Sequence, residues 1–288
     1  MLQSNTRTKF VGAIAAAALS VVAASGAAQA VPSYAYSNLN FTSFGLTGLA
    51  GGTLLATPTV LLSADSNYTG ISGPSNTVNG NVVTGADVPQ STAGPGPFPA
   101  QNTFSQQLLA SSGTRGDGLI SGALAGGATS QLVAEGRLTS PPNAGSSGGS
   151  ATTLTWQISV ASSATLTLSF DANGRLITSV GLPGDTATAQ FSASYNIVDF
   201  AGAVIRDTAP SALNQTRSAQ VPGVDGIYTL LSTHFSFSDT LGPGIYTITL
   251  SDNVREQLTA VAAPEPASMA LLGTGLLGIG LIARRRHS

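Results

Sequence analysis

From Thr153 onward, large apolar residues alternate with small polar ones. Leu154, Trp156, Ile158 and Val160 fall on one face of a segment whose other face carries Thr153, Thr155, Gln157 and Ser159. A period of two is the mark of a half-buried β-strand. Ala164 to Asp171 repeats it with Leu166, Leu168 and Phe170, and Gln190 to Ile197 repeats it with Phe191, Ala193, Tyr195 and Ile197. Asn173-Gly174 predicts a tight hairpin turn leading into a strand from Leu176 to Val180. Further strands are expected over Ile227 to Phe237 and Gly244 to Ser251, joined through Leu241-Gly242-Pro243-Gly244. Val254 to Ala262 is the candidate closing strand.

The preceding half is looser. Tyr34 to Leu62 predicts two or three strands, and Asn67 to Asn102 turns to Gly, Pro, Ser, Asn and Thr, a loop with at most short strands such as Asn81 to Thr84. Phe104 to Ala110 fits one helical turn or a strand. Gly118 to Leu138 reads as a strand pair, because Gly122, Gly126 and Gly127 would each cost a helix about 1 kcal/mol relative to alanine. Ser140 to Ser150 reads as a linker. About eight strands at short spacing with turns between them predict a jelly-roll-like β-sandwich. No repeat of fixed period points to a solenoid.

Both ends depart from this pattern. Arg7 and Lys9 precede an apolar run from Phe10 to Ala24, and Ala28-Gln29-Ala30 before Val31 is an A-x-A cleavage site. Residues 1–30 therefore read as a secretory signal peptide, excluded from the fold. At the other end, Pro264-Glu265-Pro266 cannot be helical. Ala267 to Ala283 carries no charge, and seventeen such residues span about 25 Å as a helix, the lower limit for a bilayer's hydrocarbon core. Arg284-Arg285-Arg286 then acts as a stop signal that stays cytoplasmic. Gly273, Gly275, Gly278 and Gly280 do not form a strict GxxxG, so the span gives little support to helix dimerisation.

Pro264 to Ser288, with tripeptide, span and arginines in order, resembles the PEP-CTERM sorting domain of Gram-negative bacteria. The resemblance covers under a tenth of the chain. It implies that a membrane-embedded exosortase recognises Pro264, Glu265 and Pro266 and processes the protein near them. The signal peptide implies export across the inner membrane by the Sec machinery. The C-terminal helix would hold the protein in the membrane before processing. The expected layout is thus mainly β: an N-terminal signal helix (1–30), an exported β-rich domain (31–262, loose over 31–150 and well patterned over 151–262), and a sorting and anchor segment with a single transmembrane helix (263–288).

Charge narrows the partners. The whole chain carries −2, but residues 31–266 hold all thirteen acids against six arginines and no lysine, a net charge near −7. Nucleic-acid affinity comes from neutralising phosphates, so this domain is a poor candidate for it. With no cysteine there are neither disulfides nor thiolate chemistry. Few charges and many Ser and Thr predict outer strand faces covered by hydroxyls.

The catalytic inventory is thin. His234 is the one histidine of the exported domain, expected opposite Phe235 and Phe237 beside Ser232 and Ser236. No G-x-S-x-G elbow supports a hydrolase triad, and a zinc site is effectively excluded because, with no cysteine and one histidine, only carboxylates could complete it. Asp171, Asp185, Asp199, Asp207, Asp225, Asp239, Asp252 and Glu256 are spread singly; a glycosidase pair would need two to meet across strands. Asp171-Ala172-Asn173-Gly174 resembles the start of a calcium loop without the closing glutamate, which leaves a structural calcium open and no other cofactor. Arg115-Gly116-Asp117 is an RGD tripeptide expected in a loop and taken as coincidence. Asn40, Asn67 and Asn214 head Asn-x-Ser/Thr sites of the kind a threonine-rich chain contains by chance.

The expectation is a non-catalytic surface or extracellular-matrix protein associated with exopolysaccharide or biofilm. One alternative is a glycan-binding module using Trp156, Tyr195, Tyr228 or Tyr246; another is a secreted glycan-active enzyme. An exposed aromatic row would favour the module, and buried aromatics the structural reading.

Overall fold

The computed structural model describes residues 32–48, 52–68, 71–72, 76–80, 106–109, 112–123, 126–139, 144–261 and 273. The expected signal helix, its cleavage site and the C-terminal span lie outside these residues. Among the described residues no helix is long and apolar enough to cross a membrane.

The described strands are β1 (Ser33–Thr47), β2 (Gly52–Leu54), β3 (Thr59–Tyr68), β4 (Ile71–Ser72), β5 (Asn76–Gly80), β6 (Gln106–Leu109), β7 (Ser112–Ser121) and β8 (Gly126–Leu138). They continue as β9 (Gly145–Val160), β10 (Ala164–Ser179), β11 (Thr186–Asp199), β12 (Val204–Thr208), β13 (Gln215–Ala219), β14 (Gly226–Leu241) and β15 (Gly244–Thr259). A smaller antiparallel sheet runs β14-β10-β1-β8-β7-β6. A larger one runs β12-β11-β15-β9-β3-β4, with β13 on β11, β2 on β9 and β5 on β3. The chain is mainly β, as the alternation predicts. Residues Val31–Val261 form one unit.

The alternating residues fill the space between the sheets. Leu154, Trp156, Ile158, Leu166, Leu168, Phe170, Phe191, Tyr195 and Ile197 are all buried. The thick half of this core is aromatic. Phe170 packs against Phe41 at 4.6 Å and Phe235 at 5.5 Å between ring centroids, and Tyr195 stacks on Phe237 at 5.3 Å. Phe41 and Phe44 both point inward because β1 shifts register between Thr42 and Gly45, with Ser43 at φ 55°. A bulge of this kind re-aims one side chain without ending the strand.

The other half is thin. Where β7 and β8 face β9 and β15, a methyl on Gly116 would collide with the Gly149 carbonyl, and one on Gly136 with the Glu256 carboxyl. The glycines that make the first half of the sequence look loose are what let the two backbones approach.

Three sequence expectations need correction. Asn173-Gly174 is no turn: β10 runs straight through it, pairing Asn173 with Asn40 and Gly174 with Leu39 on one side and Leu230 on the other. Pairing on both edges outweighs the local turn preference, and the β10–β14 register shift between Ala172 and Gly174 takes up the irregularity. Ser140 to Ser150 is not all linker, since β9 begins at Gly145 and pairs with the end of β15. Gly244 to Ser251 and the expected closing strand from Val254 belong to one strand, β15, which ends at Thr259 and is paired without a break to β9 and β11; Ala262 lies outside the described residues. Asn81 to Thr84 lies outside the described residues.

Gly116→Ala should therefore overpack the seam and lower stability by about 1–3 kcal/mol in urea unfolding. Gly242→Ala, with nothing near its added methyl, should be close to neutral.

Candidate functional site

Strand register gathers many strand ends at one pole of the sandwich. Ser33 faces Leu138, Tyr34 faces Ser179, Gly226 faces Thr178, Ala219 faces Ala187, and Thr259 faces both Thr186 and Gly145. Asp185 lies there, buried, in the turn between β10 and β11, its N–H donating to the Leu182 carbonyl at 3.2 Å. Its carboxylate joins the two ends of the domain. Ser33 Oγ donates to Oδ2 at 2.5 Å, and the Val261 N–H donates to Oδ1 at 3.0 Å. The Gly181 N–H donates to Ser33 Oγ at 3.0 Å, and the Ala260 N–H to the Ala144 carbonyl at 2.8 Å. Gly184, at φ +94°, leaves room for the Val261 side chain, which a Cβ would approach to 2.9 Å. Charge-assisted bonds to a buried carboxylate are strong ones, so Ser33 and Val261, at the two ends of the domain, are held firmly at this pole.

A second polar group is enclosed between the sheets. Asp252 and Glu256 point inward from β15, each 2% exposed. Ser130 Oγ donates to Asp252 Oδ2 at 3.0 Å, and Thr114 Oγ1 to Glu256 Oε1 at 2.5 Å. Burial pushes the Asp252 carboxyl up to about 7, against the opposing effect of Ser130 and Thr152. Burial likewise pushes Glu256 up to about 8; the Thr114 hydroxyl opposes this, and the negative charge of Glu135 adds to it. Thr152 and Ser146 lie near enough to favour the ionised carboxyls, yet their hydroxyls complete no hydrogen bond of good geometry.

On the other face of the smaller sheet, Arg115 is held by Glu135 at 2.6 Å and Asp117 at 3.4 Å, and the Tyr34 hydroxyl donates to Glu135 at 2.7 Å. The expected RGD loop is thus the middle of β7 and wholly buried. It is in no position to be read by a partner.

The remaining predicted residues disperse. His234 lies opposite Phe235 and Phe237 as expected, exposed, its Nδ1 2.9 Å from Asp171 Oδ1. Asp171, Asp185, Asp199, Asp207, Asp225 and Asp239 do not converge on Asp252 or Glu256. Among the described residues no three His, Cys, Asp or Glu side chains come together to hold a metal ion. Trp156, Tyr195 and Tyr246 are buried and Tyr228 is partly buried. Shallow polar grooves of about 250 and 230 Å³ cross the larger sheet, lined by residues such as Thr188, Gln190, Arg255, Ser192, Ser251 and Asn214. Asn40 bonds Asn173 within the sheet at 3.0 Å, and Asn214 bonds the Ala193 carbonyl at 2.9 Å.

Sequence reasoning missed the role of Asp185 and the inward phase of Asp252 and Glu256. The second could have been found: carrying the alternation of Tyr246, Ile248 and Leu250 onward reaches Asp252, Val254, Glu256 and Leu258.

The segment that leaves the domain after Val261 is the one a comparison with known proteins recognises. Residues 262–286 match the family described as PEP-CTERM protein-sorting motif, a span that includes Pro264, Glu265, Pro266 and Arg284 to Arg286. The chain carries this motif, which directs exosortase-dependent sorting to the cell surface and makes exosortase its processing partner. No curated protein and no solved structure matches the chain. Ala28, Ala30, Val31, Pro264 to Pro266 and Arg284 to Arg286 lie outside the described residues.

The buried acids set a pH dependence. Their folded-state values lie above the usual carboxylate range, so the folded state binds the extra protons. Their contribution is fully present below about pH 4 and is lost as pH rises through about 7 to 8. Thermal unfolding should show Tm falling over this window, by about 2–4 °C per kcal/mol lost. Asp252→Asn with Glu256→Gln should flatten that slope.

Proposed function

We propose that the exported domain is a non-catalytic surface or extracellular-matrix protein. The Sec machinery carries it across the inner membrane of a Gram-negative cell, and exosortase processes it near Pro264 to Pro266. It then resides in the envelope or an exopolysaccharide-rich biofilm matrix. The observation that carries this reading is the sorting motif that begins directly after the last residue fixed by the sandwich. Burial of Trp156, Tyr195 and Tyr246 supports a structural role over a glycan-stacking module. Inward Asp252 and Glu256, each with its own hydroxyl partner, fit a core role better than the paired carboxylates of a glycan-active enzyme. The sandwich is of jelly-roll-like type in this proposal. This is supported by the repeated passage between sheets from β8 to β9, β10 and β11.

The test is the intact mass of the protein, with C-terminal peptide mapping, from its native host and from the same host lacking exosortase. A native form ending near Pro264 to Pro266, with the arginines retained only in the mutant, is the expected result. Arg284 to Arg286 persisting in both strains would reduce the tail to a plain anchor and remove the main support for this reading.

A further inference from the structure

We infer that the pole of the sandwich holding Asp185 docks end-on against the lipid bilayer while the C-terminal segment is membrane-inserted. This rests on the sorting reading above.

Where the chain leaves the fold limits the geometry. Val261 is fixed to Asp185, and the uncharged run begins at Ala267, six residues on. Six residues reach at most about 20 Å. Whenever Ala267 to Ala283 is in the bilayer, this pole therefore stands within about 20 Å of it. Ser33, on the same carboxylate, brings the start of the domain to the same place. Nine residues earlier ends the apolar run of the leader, so a chain still carrying its leader is tethered twice from one pole.

The pole presents apolar side chains outward. The β13–β14 loop presents Val221 and Val224, 59% and 61% exposed, and Ile227 follows at 54%. Pro183 on the β10–β11 turn and Val261 are exposed beside them. Asp225 is the exposed acid of that loop, and the loop has no lysine or arginine. Apolar tips without basic residues enter the interface by burying apolar area, and gain nothing from anionic lipid.

Apolar exposure alone would not select this pole. Phe200, at the far end of the sandwich, is 85% exposed. The sixteen-residue β15 separates the two ends by about 50 Å. The point of chain exit decides which end meets the membrane.

Because the chain has no cysteine, single thiols can be labelled cleanly. Full-length Val224→Cys and Phe200→Cys proteins would carry an environment-sensitive fluorophore and be reconstituted in phosphatidylcholine vesicles. Flotation reports insertion. In the floating protein, the expected result is a blue-shifted probe at 224, quenched by spin-labelled lipid and unchanged by high salt, with a probe at 200 that is neither shifted nor quenched. Adding Val221→Asp to a chain labelled at 227 through Ile227→Cys should reverse the shift there while flotation is kept. Floating protein with no shift at 224, or with equal shifts at 224 and 200, overturns end-on docking and leaves the sorting reading intact. Protein that fails to float overturns the membrane-inserted reading and the docking with it.

Discussion

The structure depends on its last strand being a central one. β15 is paired along its whole length with β9 on one side and β11 on the other, and β1 sits in the middle of the opposite sheet between β8 and β10. The larger sheet cannot be completed until β15 is in place, because among the described strands β11 and β9 have no other common neighbour. Long-range pairing of this kind carries a loop-closure cost that is repaid only when the final strand docks. The bonds from Ser33 and Val261 to Asp185 complete that docking. For a chain sorted through a motif beginning at residue 262, completion of the fold and the start of the motif coincide within one residue.

The two halves of the sandwich differ in what they put between the sheets. Phe41, Phe170, Tyr195 and Phe237 hold one half apart, while Gly116, Gly136 and their partners let the other half close down. Closing down leaves little apolar volume, and that half is where Asp252, Glu256, Ser130 and Thr114 meet. Burying a carboxyl costs free energy unless it is neutral and hydrogen-bonded. Both acids meet that condition best when protonated, which is why burial raises them. Polar groups confined to a thin seam tolerate little misalignment, so they favour one register of the two sheets over its neighbours.

Fold class was legible because the core-facing residues of β9, β10 and β11 obey a strict period of two, and every large residue on that phase is buried. What misled were local signals overruled by pairing. Asn173-Gly174 has turn chemistry, but strands on both sides hold it extended. Arg115-Gly116-Asp117 looks like a loop because it is polar and glycine-containing; it is instead the inner seam and a buried ion pair. The join within β15 was hidden by Ser251, Asp252 and Asn253, whose polarity imitates a turn between two apolar runs. The site at Asp185 could not be read from sequence at all, since it brings together residues 33, 185 and 261, and only the topology makes them neighbours.

Surface chemistry fits the same constraint. A domain without lysine lacks the residue most often used to keep sheet edges from pairing with other chains. Its outer faces carry hydroxyl pairs instead: Thr165 with Thr240 at 3.3 Å, Thr167 with Ser238 at 2.9 Å, and Thr188 with Ser218 at 3.3 Å. Cross-strand hydroxyl pairs stabilise the sheet by a few tenths of a kcal/mol each, to about 1 kcal/mol. They add no charge, so repulsion between copies must come from the net negative balance of the exported residues. That balance weakens as Asp252 and Glu256 take up protons, the same change that stabilises the fold. Protonation of these two acids therefore stabilises the fold while lowering its negative charge, and their ionisation does the reverse.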